Sequence, residues 1–345
     1  MTAEVEPGTL SVIPGAIDCS PELEIQLREL EELIAANESF LVVAHSSPDG
    51  DAVGSTLALG LLLREQGKTV TVYNQDPVPY NFQFLPGAGT WRTEIGAEES
   101  FDVTVLLDCA EPGRIGAGFP ANGWGKTIAV VDHHKTWDEE FADLYVRDVS
   151  AAATGELLYR LASRYGVVSL EVAQNLYCCM LTDTGSFRYS NTSRTAFRVA
   201  GELVELGVNP WDMTSQVYEN QPRERLDLLC RVLETLSVSE CGRLAFLRVE
   251  RSMLEGLNGE GDLTDGFINY ARSIGGVEVA TQLREQEEGG WRISFRSRGR
   301  VDVSALAEKF GGGGHHNAAG CTIEASPGEI ETMLTQALVD LLDRG

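Results

Sequence analysis

Apolar residues fall along this chain in two rhythms. Between residues 39 and 148 they come as short continuous runs: SFLVVAH (39–45), KTVTVYN (68–74), FDVTVLLDC (101–109), KTIAVVDHH (126–134) and ADLYVRD (142–148). Such runs, bounded by turn residues, predict buried strands. Longer patterned stretches lie between and around them. One helix starts at Ser20-Pro21-Glu22, a capping serine with proline at the first helical position, and runs to about Asn37. SSPDGDAVG is a turn, and STLALGLLLREQG is a helix closed by Gly67. From 154 to about 207 the pattern is helical, and 211–236 reads as linker and helix. Beyond it, SVSECGRLAFLRVE, GGVEVATQLRE and WRISFRSRGR predict strands separated by helical segments, with EQEEGG as a hairpin turn.

Strands alternating with helices make this an α/β protein: a parallel sheet covered by helices on both faces, with a smaller mixed α/β C-terminal domain across a cleft. A chain of 345 residues is too long for one ordinary core. The expected division is a mobile arm at 1–20, a first domain at 21–210, linker and helix at 211–236, and a second domain at 237–345. In parallel sheets ligands bind at the carboxyl ends of the strands. Those ends are where the polar termini of the apolar runs lie.

Composition narrows the function classes. Hydrophobic content of 43% supports a packed core. The N-terminus lacks the basic start and apolar stretch of a signal peptide. The longest apolar run, LALGLLL (57–63), is too short to span a bilayer, so no membrane role is expected. Seven scattered cysteines without CxxC spacing exclude a zinc framework or disulfide scaffold and point to reduced thiols in a cytoplasmic protein. A net charge of −25 disfavours long duplex nucleic acid. A small anionic substrate, held by metals and a few arginines, suffers less from that field.

Candidate chemistry collects at the predicted strand ends. His45, Asp49 and Asp51 share one strand-to-helix loop, where Pro48 and Gly50 are expected to force a tight turn. Asp108 ends the next apolar run, Asp132-His133-His134 ends another, and Asp183 closes a helical stretch. Singly each has a plain structural reading: Asp51 as the cap of a helix from Ala52, Asp108 as a strand-exit acid, His45 as a structural histidine. Jointly they place acids or histidines at four element ends that such a fold brings together. All five histidines fall in this set or in GGGGHHNAAG near the C-terminus.

HSSPDGD, LLD, VDHHK and LTDTG together resemble the four signature motifs of the DHH phosphoesterase superfamily, over residues 39 to 193. The resemblance implies an N-terminal DHH domain holding two divalent cations, usually manganese, with magnesium as the alternative. One cation would take His45, Asp49 and Asp108; the other Asp51, Asp108, His133 and Asp183, with Asp108 bridging. It makes Asp108, Asp132 and His134 the catalytic group, with His134 facing the substrate phosphate or a neighbouring ligand and Asp132 supporting. The residue chemistry agrees. Two like charges 4 Å apart cost about 4 kcal/mol at an effective dielectric near 20, so crowded carboxylates need counter-charge. An oxygen and imidazole donor set without thiolate suits manganese better than structural zinc. Two such metals would activate a hydroxide and clamp a phosphoryl group.

GGGGHHNAAG carries a second constellation. Consecutive glycines such as Gly312, Gly313 and Gly314 can form a backbone anion nest. The run also resembles the GGGHxxAAG motif of the domain that accompanies many DHH proteins, which implies that His315 binds substrate. In WRISFRSRGR, Arg292, Arg296, Arg298 and Arg300 share strand parity, opposite Ile293 and Phe295. The resemblance favours Arg296 and Ser297 as phosphate contacts, although a flat strand points them to opposite faces.

Length and TDTGSFRYSNTS resemble the small two-domain NrnA-type enzymes, which degrade very short RNA (nanoRNA) and remove the 3′-phosphate of phosphoadenosine phosphate. In that run Arg188 and Asn191 would help to position substrate. The expectation is therefore a manganese-dependent phosphoesterase acting on short oligoribonucleotides and small nucleotides. Two alternatives stand beside it: a phosphodiesterase for cyclic di-AMP or its linear dinucleotide, and a non-catalytic nucleotide sensor. A homodimer is compatible with all three.

Overall fold

The computed structural model describes residues 10–12, 17, 19–120, 123–135, 140–257, 263–287 and 289–342. The chain divides into two compact units, 1–220 and 221–345.

The first unit begins with strand β1 (Leu10–Val12), which pairs antiparallel with β8 (Val167–Ser169). Part of the expected mobile arm is thus tied down; residues 1–9 lie outside the described residues. The helix α1 (Pro21–Ala36) follows, with Ser20 accepting the Leu23 N–H as its cap. Next come β2 (Ser39–Ala44), α2 (Gly50–Glu65), β3 (Thr69–Tyr73), β4 (Trp91–Arg92), β5 (Val103–Leu107), β6 (Thr127–Asp132) and β7 (Leu144–Arg147). They form one six-stranded sheet, order β4-β3-β2-β5-β6-β7, in which every pairing is parallel. Helices α3 (Thr154–Tyr165), α4 (Leu170–Asp183), α5 (Arg194–Glu205) and α6 (Pro210–Tyr218) complete the unit.

Alternate residues of each strand serve the two faces. Phe40, Val42, Val72, Val103, Val105, Ala129 and Val131 pack with Leu23, Leu27, Leu57, Leu158 and Leu176 of the helices. Leu41, Val43, Tyr73, Leu106 and Val130 face the other way. Both faces are covered, as a parallel sheet requires. The second cover, however, is made of connecting segments bearing Phe119, Trp124 and Phe141. The links between β3 and β6 are rich in glycine and proline, which disfavour α-helix.

The second unit starts with α7 (Arg223–Glu234), so the expected linker and helix at 211–236 is two helices, α6 and α7, with the unit boundary between them. Then follow β9 (Ser237–Val238), β10 (Leu244–Val249), α8 (Arg251–Leu254), α9 (Ile268–Arg272), β11 (Val279–Glu285), β12 (Trp291–Ser297), α10 (Val303–Glu308), β13 (Gly313–His315), β14 (Ala318–Ile323) and α11 (Pro327–Leu342). The sheet order is β13-β14-β12-β11-β10-β9, with only β10 and β11 parallel. This is the mixed α/β domain the sequence predicts. Its core joins Phe246, Leu283, Ile293 and Phe295 to Leu306, Ile330 and Leu334.

Candidate metal centre

The centre is assembled at the carboxyl edge of the first sheet. His45 follows β2, Asp108 follows β5, and Asp132 ends β6 with His133 and His134 beyond it. Asp49 and Asp51 sit at the start of α2, and Asp183 is the last residue of α4. Parallel register is what aligns these ends: Ala44 pairs with Leu107, and Leu107 with Val131.

Three groups of ligand atoms lie within 4.8 Å of one another: His45, Asp49 and Asp108; Asp51, His133 and Asp183; and Asp108, His133 and His134. Asp108 is common to two of them. His45 Nε2 stands 3.4 Å from Asp108 Oδ2, and His133 Nε2 is 3.5 Å from its Oδ1. The same His133 nitrogen is 3.8 Å from Asp51 and 3.7 Å from Asp183. Asp108 adopts φ +56°, a left-handed backbone that a non-glycine residue holds only when its surroundings enforce it.

The histidine tautomers suit cation binding. Nδ1 of His45 lies 2.9 Å from the Ser46 carbonyl, and Nδ1 of His133 lies 3.2 Å from the Ala151 carbonyl. A carbonyl can only accept, so each Nδ1 carries the proton and each Nε2 faces the carboxylates. His134 is held differently: Asp132 Oδ1 takes both its backbone N–H and its Nδ1, the latter at 2.7 Å. Asp132 is completely buried, and its Oδ2 has no hydrogen-bond partner among the described residues.

The acids are stabilised by long-range contacts. Asp51 accepts the backbone N–H of Thr154 at 2.6 Å and of Gly155 at 3.0 Å. Thr154 Oγ1 donates to Asp108 Oδ1 at 3.0 Å. Burial, reinforced by the charge of Asp108, raises the Asp51 carboxyl to about 7. Burial and Asp51 likewise push Asp183 well up, with His133 opposing. Burial also works against a charged Asp108, yet hydrogen bonds from His133 and His45 hold it far below the usual carboxylate range. Burial opposes charge on the imidazoles too, but Asp108 and its acidic neighbours raise His45 to about 9 and His133 to about 11. Acids pushed up and imidazoles pushed up together mark a cluster that wants positive charge. The donors are oxygen and imidazole without thiolate, so two divalent cations fit this centre.

Several expected roles change in detail. The cap of α2 is Asp49, whose Oδ1 accepts from Asp51 N and Ala52 N, while Asp51 turns inward. Gly50 is a helical residue rather than a turn former. A Cβ there would stand 2.4 Å from Thr182 Cγ2, so glycine is needed to bring α2 against α4 and the Asp49–Asp51 acids against Asp183. Asn191 Nδ2 donates to Asp183 Oδ2 at 3.2 Å and to the carbonyls of Ala152 and Asp183. It therefore orients an acid. Arg188 is exposed, its Nε donating to the Gly185 carbonyl.

In the second unit the glycine run is not an open nest. Gly313–His315 is an edge strand paired with Ala318–Gly320. A Cβ on Gly312 would lie 2.1 Å from the Gly320 carbonyl, and one on Gly314 2.5 Å from that of Ala318, so close strand pairing explains these glycines. The His315 side chain lies outside what the structure describes. On β12, Arg292 is exposed and Arg296 half-buried, while Ser297 is buried on the opposite face with its Oγ accepting Gly299 N–H. Arg298 donates to the carbonyls of Arg272 and Ile274, and Arg300 pairs with Glu278.

The sequence reading missed Thr154, Gly155 and Asn74, whose amide donates to the His45 carbonyl at 2.8 Å. AAATGE did carry a signal: a helix start without a side-chain cap of its own. No helix among the described residues is long and apolar enough to cross a membrane.

Comparison with known proteins agrees with this geometry. Residues 39–182 match the DHH family, N-terminal domain, and residues 245–342 match the DHHA1 domain. The bifunctional oligoribonuclease and PAP phosphatase NrnA of Thermus thermophilus is 35% identical over 301 residues, covering 87% of this chain and 89% of its own. The Bacillus subtilis protein of the same name is 26% identical, covering 86% of this chain and 92% of its own. The crystal structure of an exopolyphosphatase-related protein from Bacteroides fragilis matches with a TM-score of 0.84 at 28% identity, over 92% of this chain and 96% of that one. With both domains in this order and that identity along nearly the whole Thermus protein, the chain belongs to the DHH phosphoesterase superfamily, in its two-domain NrnA-type branch.

Proposed function

We propose that this protein is a hydrolase that degrades short oligoribonucleotides to mononucleotides and removes the 3′-phosphate of phosphoadenosine phosphate, with manganese as its cation. The observation that carries this reading is Asp108, one buried carboxylate common to two groups of candidate ligands, in a chain whose Thermus relative bears both activities. His45, Asp49 and Asp108 would hold one cation; Asp51, Asp108, His133 and Asp183 the other. Bound there, divalent cations supply polarisation of the phosphoryl group and activation of water for in-line attack.

The chain's own residues do the rest. Thr154 and Gly155 keep Asp51 oriented, and Ala151 sets the His133 tautomer. With Nδ1 engaged by Asp132, His134 would turn Nε2 to the phosphate side and give a proton to the departing nucleoside oxygen. In the reaction a water oxygen forms a bond to phosphorus and gives up a proton, the ester P–O bond breaks, and the departing nucleoside oxygen takes up a proton, so that the elements of one water are divided between the two products. In the second unit, Arg296, half-buried on β12, is the candidate contact for a substrate phosphate. The overall charge of −25 suits short substrates gripped at a few points.

Side-by-side rates with manganese on a dinucleotide series, phosphoadenosine phosphate and cyclic di-AMP test this function. Turnover of the linear dinucleotides and of phosphoadenosine phosphate is expected. A wide preference for cyclic di-AMP would make the protein a cyclic-dinucleotide phosphodiesterase, and binding without release of mononucleotide would make it a sensor.

A further inference from the structure

Helix α3 begins without a cap. Its N-cap residue, Ala153, makes no side-chain hydrogen bond, and the N–H groups of the first turn need acceptors. Two of them are taken by Asp51, from a different helix 103 residues earlier in the chain. The same turn reaches Asp108 through the Thr154 hydroxyl, and Thr154 is completely buried. Directly before it, the Ala151 carbonyl accepts from His133, and the Ala152 carbonyl accepts from Asn191, which itself donates to Asp183. Four of the five residues 151–155 thus contact, directly or through Asn191, all four side chains of the proposed second cation site. The segment is itself anchored, because Ala152 N–H donates to the buried Glu156, which Arg160 neutralises at 2.9 Å.

We propose that Thr154 is a positioning residue of the two-cation centre: its hydroxyl fixes one oxygen of Asp108 while its N–H fixes Asp51, so that the two carboxylates keep the spacing that two cations share. This rests on the two-cation reading of the site. A hydroxyl with no role beyond packing would be replaceable by any group of its size. A positioning hydroxyl is not, because the shared carboxylate then rotates and one cation loses a ligand. Gly155 belongs to the same device. A Cβ there would sit 2.3 Å from Cβ of Cys179, so only glycine lets the first turn of α3 come this close to α4.

The test is manganese binding to the full-length protein without nucleotide, read by calorimetry and by the electron paramagnetic resonance signal of two magnetically coupled manganese ions. Thr154→Val keeps the shape and removes the hydroxyl. Thr154→Ser and Thr154→Ala both lack the methyl and differ only in the hydroxyl. Wild type is expected to bind two ions per chain. The valine and alanine variants are expected to lose about 10–100-fold in affinity for one ion and to lose the coupled signal, while serine stays within about threefold of wild type. If the valine variant does not fold, the serine–alanine pair decides. Wild-type binding of two ions with alanine equal to serine would overturn the role of Thr154 alone. Wild-type binding of fewer than two would overturn the two-cation reading and the role with it.

Discussion

Nε2 of His133 stands 3.5 Å from Oδ1 of Asp108, the carboxylate whose other oxygen faces His45 at 3.4 Å. Asp108 is therefore the member whose loss disturbs both candidate groups. Asp108→Asn keeps the shape and tolerates the left-handed backbone at φ +56°. Turnover of a dinucleotide should fall on the order of a hundredfold or more. Arg298→Ala removes donors to the Arg272 and Ile274 carbonyls and should act mainly on stability, by about 1 kcal/mol. Equal losses of turnover in the two variants would contradict the central place of Asp108.

Asn191 offers a sharper distinction. Its amide holds Asp183, so Asn191→Ala should weaken manganese binding about tenfold or more, measured without substrate. A direct substrate contact would instead raise KM and leave metal affinity unchanged.

The pH dependence of stability follows from the raised pKa values. His45 is raised to about 9 from an ordinary 6.5, and Asp51 to about 7 from 3.8. In both cases the folded metal-free protein holds protons that the unfolded chain has released. The stability from His45 is complete below its unfolded value and is lost as pH rises through the folded one. The Asp51 contribution runs in the same direction at lower pH. Metal-free protein should therefore lose stability from about pH 6 to about pH 9, where bound cations replace the missing protons. The Tm gap between manganese-loaded and metal-free protein should widen over that range. A constant or narrowing gap would count against the cluster as a cation site.

Gly50→Ala tests the helix contact that brings the acids together. Alanine is the better helix former, so without a close neighbour the change would stabilise. Here the new Cβ meets Thr182, and a loss of about 1–3 kcal/mol is expected, together with weaker manganese binding. A rise in Tm would show that the contact yields easily.

Much of this site was legible because its chemistry is written in residue type and place. Acids and histidines at the ends of apolar runs announce themselves, and parallel pairing gathers those ends. The supports were harder to see because their partners are distant in sequence. Thr154 matters through Asp51 and Asp108, and Gly50 through Thr182, and no local pattern reports either pairing. The glycine run misled for a related reason. Glycine serves an anion nest and a crowded strand pair equally well, and only the partner strand, Ala318–Ile323, distinguishes them. The second cover of the main sheet was obscure because Phe119, Trp124 and Phe141 come from irregular links without periodicity.

The most direct test of the account is product analysis on end-labelled di- to pentaribonucleotides and phosphoadenosine phosphate, with manganese and after its removal. The account predicts mononucleotides from the RNA and adenosine monophosphate from phosphoadenosine phosphate, both only with the metal and neither with Asp108→Asn. Intact substrates in the presence of manganese, or cleavage that persists after its complete removal, would contradict it.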